Sequence, residues 1–211
     1  MQQSADSNAR GRQGTVSSRK QRILDAALSC FARKGYGATT MAEIRELADA
    51  STGSIYHHFK SKEQIAAGLY LEGVRATQQA GLEALGPQQD ARTGIFALVA
   101  AYLDWVAENS EHASFLFAMR HADFIEPVEP QLDAMNRRTF EDAGNWFRER
   151  MGRGELPDLE PEILRAILYG PAAHYARRHV AGTTAVGLET AKQQLGQAAW
   201  HGLQALLQPS E

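Results

Sequence analysis

Helix-start signals crowd the first third of the chain. Ser18 with Gln21, Thr40 with Glu43 and Ser61 with Gln64 each carry the S/T-x-x-E/Q spacing, and Ser51 is a further capping serine. In that box the hydroxyl accepts from the amide three residues on, and the returning side chain accepts from the cap's own amide. Apolar residues follow each signal at three- and four-residue intervals: Ile23, Leu24, Ala27, Leu28 and Phe31; then Ile44, Leu47 and Ala48; then Ile55 and Phe59; then Ile65, Leu69 and Val74. A first helix is therefore expected to end at Gly35, followed by a short helix at 41–48, another at 52–58 and a long fourth helix. Residues 1–16, rich in Gln, Ser, Gly and Arg, bury too little to offset ordering and are expected to form a mobile tail, with Arg10 and Arg12 able to reach DNA or to stay idle in solvent.

Beyond the fourth helix, Gly81 to Thr93, with Gly86-Pro87 inside, reads as a break. Helices are expected at about 93–109, 111–121, 128–152, 160–180 and 187–207, with no alternating β-branched run to support a sheet. The fold class is all-α. No apolar stretch approaches the roughly 20 residues that span a bilayer, and the single cysteine, Cys30, cannot form an internal disulfide, so a cytoplasmic protein is expected. Charge is segregated: residues 1–62 hold ten basic and five acidic side chains, net +5, whereas residues 63–211 are net −8. A basic first third points to a polyanionic partner.

Two short helices joined by a tight turn are the unit that places a helix in the DNA major groove. In this arrangement helix 41–48 crosses the backbone on an inner face of Ile44, Leu47 and Ala48, and helix 52–58 enters the groove, anchored by Ile55 and Phe59. Thr40, Thr52, Gly53, Ser54, Tyr56, His57, Lys60 and Lys62 are the candidate DNA-binding residues. Thr52 and Ser54 suit base edges, Gly53 permits close approach, and Tyr56, His57, Lys60 and Lys62 suit phosphates. His57 and His58 are adjacent, about 100° apart on a helix, and lack further ligands, so they read as one outward and one packed histidine, with no metal expected.

Residues 39–65, TTMAEIRELADASTGSIYHHFKSKEQI, resemble the DNA-binding signature of the TetR (tetracycline-repressor-like) family of transcriptional regulators. The resemblance is dense and ungapped over about residues 18–70 and includes Phe31, Gly35, Thr40, Ile44, Ala48, Ser51, Gly53 and residues 56–63. It implies an N-terminal three-helix DNA-binding domain and a larger C-terminal helical domain that dimerises and holds an inducing ligand. The corresponding boundaries are a tail at 1–16, a DNA-binding domain at 17–63 and a ligand-binding and dimerisation domain at 64–211. Asp49 stands where the family usually has the turn glycine, and Ala50 replaces a larger aliphatic residue. Aspartate tolerates left-handed backbone, but its carboxylate opposes DNA.

In the C-terminal region, Trp105, Phe115, Arg120, His121, Trp146, Tyr169 and His174 are the candidate ligand contacts, combining aromatic walls with a few polar anchors. Stripes of small and apolar residues, Leu168, Ala172 and Tyr175 on one helix and Leu195, Ala199, Gly202, Leu203 and Leu206 on the last, could form a four-helix dimer interface, or pack within one chain. Phosphate-loop, dinucleotide, nucleophile-elbow and zinc-protease motifs are absent, so no enzyme activity and no cofactor are expected. The combined reading is a homodimeric repressor released from a palindromic, double-stranded DNA operator by a small-molecule effector, without membrane partners. The competing reading, kept alive by Asp49, is a helical ligand-binding or scaffolding protein with a vestigial DNA-binding unit.

Overall fold

In the computed structural model, residues 19–207 are described; the expected tail at 1–16 and the Ser18 cap lie outside them. The helices are α1 (Gln3–Lys34), α2 (Met41–Leu47), α3 (Thr52–His58), α4 (Lys62–Leu85), α5 (Ala91–Glu108), α6 (Ser110–Met119), α7 (Glu129–Gly152), α8 (Pro161–Val180) and α9 (Leu188–Ala205). A single 3-10 turn covers Glu126–Val128, and no strand occurs among the described residues. The break after α4 is shorter than expected: the helix continues through Gly81 to Leu85, and Asp90 caps α5 by accepting from the Thr93 amide at 2.9 Å. The chain divides into two compact units, one comprising residues up to Leu71 together with Met119–Pro127, the other Glu72–Ala118 with the chain from Val128 onward.

The first unit is organised by its caps. Glu43 N–H donates to Thr40 Oγ1 at 3.3 Å while Glu43 Oε2 accepts from Thr40 N–H at 2.9 Å, a complete reciprocal box. At α4, Ser61 Oγ accepts from Gln64 N–H at 3.3 Å, but Gln64 Oε1 accepts from the Lys60 amide, one residue earlier than the box requires. These starts aim Ile23, Ala27 and Phe31 of α1, Ile44 and Ala48 of α2, Ile55 of α3 with the following Phe59, and Ile65 and Leu69 of α4 into one core. Burying the Ile, Leu and Phe side chains of this set contributes about 1.5–3 kcal/mol each. Leu47, expected on the inner face of α2, is instead 48% exposed; Ile44 and Ala48, four residues apart, are the pair that reaches the core.

In the second unit α5 packs against both α8 and α9 and buries Ile95, Leu98, Val99, Leu103 and Val106, which leaves it apolar around most of its circumference. Gly196 of α9 makes room for α5, since a Cβ there would lie 2.8 Å from Phe96 Cδ1. Lys192 of α9 pairs with Asp104 of α5 and with Glu189, and these hydrogen bonds raise its pKa. The break between α4 and α5 is held by Arg150, whose Nη2 donates to the carbonyls of Gln88 (3.1 Å) and Gln89 (2.9 Å) while its guanidinium lies 4.4 Å from the Trp146 ring.

Candidate nucleic-acid interface and ligand cavity

The turn between α2 and α3 closes on Asp49, which takes φ +48. Its N–H donates to Glu46 O at 3.1 Å and the Ala50 N–H to Arg45 O at 3.0 Å, the paired bonds of a Schellman motif with aspartate in the left-handed position. The ends of α7 and α8 repeat this pattern with Gly154 and Gly182. The turn expected from the sequence is thus made, at the strain that a non-glycine residue incurs there.

Ser51 Oγ then accepts from the Ser54 amide at 3.2 Å and starts α3. Thr52, Gly53, Tyr56 and His57 are exposed, with Tyr56 at 44%. A Cβ on Gly53 would meet nothing within 4 Å, so the protein's own packing does not demand glycine there. Ser54 departs from expectation: its hydroxyl is buried and without a hydrogen-bond partner, because its position in α3 turns it inward with Ile55, and it cannot present itself to a base edge as placed. Lys60 lies exposed with Nζ 2.7 Å from Tyr56 O, capping a carbonyl near the end of α3. His58 packs edge-on to His57 at 5.2 Å, and burial, then the neighbouring His57, Arg19 and Lys20, lower its pKa.

Lys62 requires the larger correction. Its ammonium donates to the carbonyls of Tyr36 (2.8 Å), Gly37 (3.3 Å) and Thr39 (2.9 Å) and stands 4.5 Å from the Tyr36 ring centre. All three N–H bonds are directed inward at the turn after α1, so Lys62 as placed is a clasp within the unit. Tyr36 is the centre of that clasp. Its ring touches Phe31 (5.4 Å between centroids) and Phe124 (5.3 Å), its hydroxyl donates to Glu63 Oε1 at 3.1 Å, and burial followed by the Glu63 charge pushes its pKa up to about 12. Neither Tyr36 nor Arg45 was singled out from the sequence. Arg45, the basic residue of α2, donates to Thr52 Oγ1 at 3.0 Å, and its place on the leading helix was the one available signal.

The second unit contains a cavity of about 250 Å³. Its walls are Val74, Leu82 and Leu85 of α4, Leu98 and Tyr102 of α5, Phe140 and Phe147 of α7, and Leu164 and Leu168 of α8, with Gln78, Asn136, Arg165 and Tyr169 as polar members. Of the seven candidate ligand residues only Tyr169 lines it. Trp146 is packing: it fills the space left by Gly94, and its Nε1 donates to Gln88 O at 2.9 Å. Phe115 is buried, Trp105 faces His112 at 5.9 Å, and His174 is exposed on α8. Arg120 and His121 are exposed on the Met119–Pro127 segment, which belongs to the first unit.

The interface candidates divide in the same way. Leu168, Ala172, Ala199 and Leu203 are buried within the chain's own core, because α5 covers those stripes, and are unavailable to a second copy. Tyr175 and Leu195 are half-buried, Tyr175 donating to Val186 O at 2.9 Å, and only Gly202 and Leu206 are exposed. The outward faces are different residues: Ala166, Gly170, His174 and Arg177 on α8, and Gln194, Ala198, Gly202 and Ala205 on α9. Among the described residues no cluster of three His, Cys, Asp or Glu side chains could hold a metal ion, and no helix is long and apolar enough to cross a membrane.

A short helix presenting a polar face, set at the end of a tight turn from a leading helix, together with a larger all-helical unit, defines a helix-turn-helix transcriptional regulator. The profile of the bacterial regulatory proteins of the tetR family matches residues 23–69. The chain is 32% identical to the uncharacterized HTH-type transcriptional regulator YhgD of Bacillus subtilis over 151 residues, 71% of this chain and 78% of that protein. It is 29% identical to the HTH-type transcriptional repressor KstR2 of Mycolicibacterium smegmatis over 154 residues, 70% of this chain and 72% of that one. Among solved structures, FadR of Bacillus subtilis in complex with stearoyl-CoA superposes with a TM-score of 0.72 at 18% identity, covering 86% of this chain and 98% of FadR. The chain belongs to the TetR family of transcriptional regulators.

Proposed function

We propose that this regulator is a cytoplasmic homodimeric repressor that binds a pseudo-palindromic operator through residues 17–63 and is released by a small molecule held within residues 64–211. The observation that carries the reading is the outward face of α3, where Thr52, Gly53, Tyr56 and His57 are exposed and Gly53 has open space the fold itself does not use. Thr52 and Gly53 address bases; Thr40, Tyr56, His57, Lys60 and Arg45 address phosphates. Ser54 and Lys62 are left out of this set.

One two-turn helix covers only a few base pairs, so a second copy on a two-fold axis supplies the other half-site. The exposed small-residue faces of α8 and α9 suit that pairing. An effector preferring the conformation with the wrong spacing of recognition helices weakens operator binding by linkage, in proportion to its differential affinity for the two states. The name of KstR2 as a repressor and the acyl-CoA in FadR support, for this chain, a repressor with an organic effector.

Fluorescence anisotropy with duplex DNA from upstream of the protein's own gene tests the reading. Saturable binding at physiological salt, at two protomers per half-site pair and at least about a thousandfold tighter than to scrambled duplex, is expected. Equal affinity for both duplexes would restore the vestigial-domain alternative.

A further inference from the structure

The cavity of the second unit has a polarity that selects among effectors, and this inference rests on the proposal that the cavity is the effector site. Its volume of about 250 Å³ compares with the ~150 Å³ engineered cavity that takes up benzene, which scales to an occupant of about ten non-hydrogen atoms. That is roughly half of an eighteen-carbon acyl chain. The walls are aliphatic and aromatic, and two of the polar groups inside are already engaged: Thr77 and Thr139 hydroxyls donate to the carbonyls of Val74 (2.8 Å) and Met135 (2.9 Å) of their own helices.

Apart from Arg165, the remaining polar side chains of the lining are neutral. Gln78 Nε2 donates to Asn136 Oδ1 at 2.9 Å, which leaves Gln78 Oε1 and Asn136 Nδ2 for a ligand. The Tyr169 ring stands 5.5 Å from Tyr102, and burial, then Tyr102, push its phenol up to about 12, so it stays protonated. No carboxylate lines the cavity, which leaves a cationic ligand without a counter-charge. Arg165 is the one charged residue of the lining; it is exposed, at the rim, and has no acidic partner among the described residues. A guanidinium in that position matches a carboxylate by two parallel hydrogen bonds.

We propose that the effector is a small amphiphilic monocarboxylate of about ten non-hydrogen atoms in all, with its aliphatic or aromatic body lodged among Leu82, Leu98, Phe140 and Phe147 and its carboxylate on Arg165. The amide pair Gln78–Asn136 orients the body near its polar end.

Calorimetric titration of the full chain with octanoate, cinnamate, octanamide, octylamine and octanoyl-CoA tests this. Octanoate and cinnamate should bind at least about tenfold tighter than octanamide, a charge-assisted pair being worth that much. In Arg165→Gln, which alters an exposed side chain, octanoate and octanamide should become equal, and in Ala143→Leu, which enlarges a residue of the cavity lining on α7 and so narrows the cavity, both should weaken together. Circular dichroism confirms that each variant is folded. Octanamide, octylamine or octanoyl-CoA binding as well as octanoate, or an unchanged preference in Arg165→Gln, would overturn the carboxylate assignment, as would no binding by any acid. Because calorimetry needs no DNA, octanoate binding by a chain that fails to bind operator supports the ligand class and sinks the repressor reading alone.

Discussion

Arg45 of α2 and Thr52 of α3 are joined by a 3.0 Å hydrogen bond from the guanidinium Nη1 to the threonine Oγ1. The bond ties the leading helix to the first turn of the helix behind it and aligns two side chains with different tasks. Thr52 accepts this bond and keeps its own proton to donate; in the proposed complex that proton meets a base, and the other N–H groups of Arg45 meet a phosphate.

The two members should therefore fail differently. Thr52→Ala is expected to change the preference at one base position by about 1–3 kcal/mol and to leave affinity for non-specific DNA unchanged. Arg45→Ala should weaken binding to every sequence and reduce the salt slope by about one. Anisotropy titrations at four salt concentrations, on operator and on single-base variants, separate the two; identical profiles would show that the pair acts only as a unit.

Lys62 carries a prediction opposite to the one its sequence invites. Its ammonium bridges three carbonyls of the turn after α1, with Tyr36 beneath it. Lys62→Ala leaves those carbonyls to water in a half-buried site and should lower the stability of the chain by about 2 kcal/mol. At temperatures where the variant is folded, the salt slope of DNA binding should match that of the wild type. Urea unfolding and the salt titration check the two halves; a reduced slope with unchanged stability would return Lys62 to the DNA.

These contrasts explain what was legible in the sequence. Capping and periodicity are local, and α2 and α3 appear within one residue of where Thr40, Glu43 and Ser51 place them. The cavity is not local: its wall is assembled from four helices, and an aromatic residue that fills a seat, such as Trp146, has the same local pattern as one that lines a void, such as Tyr169. The stripes on α8 and α9 were visible, but small residues at helical spacing serve an inner or an outer partner equally, and α5 claimed Leu168, Ala172, Ala199 and Leu203. Arg150 was invisible for the opposite reason, since a charged residue in a polar helix gives no sign that two loop carbonyls 61 and 62 positions away will bury it.

Asp49 at φ +48 occupies a position that Gly154 and Gly182 fill at the ends of α7 and α8. Asp49→Gly should stabilise the chain by about 1 kcal/mol by removing the left-handed strain. It also removes a negative charge beside the DNA-facing helix, so operator affinity should rise, more at low salt than at high. Asp49→Ala removes the charge and keeps a Cβ in the strained position, so it should bind DNA more tightly than the wild type without the gain in stability. Thermal unfolding and anisotropy on the three proteins check this; tighter binding only in the glycine variant would assign the effect to the turn.

Gly94 of α5 and Trp146 of α7 fit each other without slack. A Cβ on Gly94 would overlap the Cζ2 and Cη2 edge of the indole, and the ring cannot retreat freely because its Nε1 donates to Gln88 O and Arg150 stacks on it. Gly94→Ala should therefore destabilise the second unit by about 2 kcal/mol despite the helix propensity that alanine adds. Trp146→Phe removes the overlapping edge together with the hydrogen bond to Gln88, and alone it should also destabilise. Combined, the two should cost less than the sum of the single changes, with a coupling of about 1 kcal/mol or more. Urea unfolding of the four proteins measures the cycle. Strict additivity would mean that the tryptophan finds another seat, in which case the break between α4 and α5 would also lose the ring on which Arg150 rests.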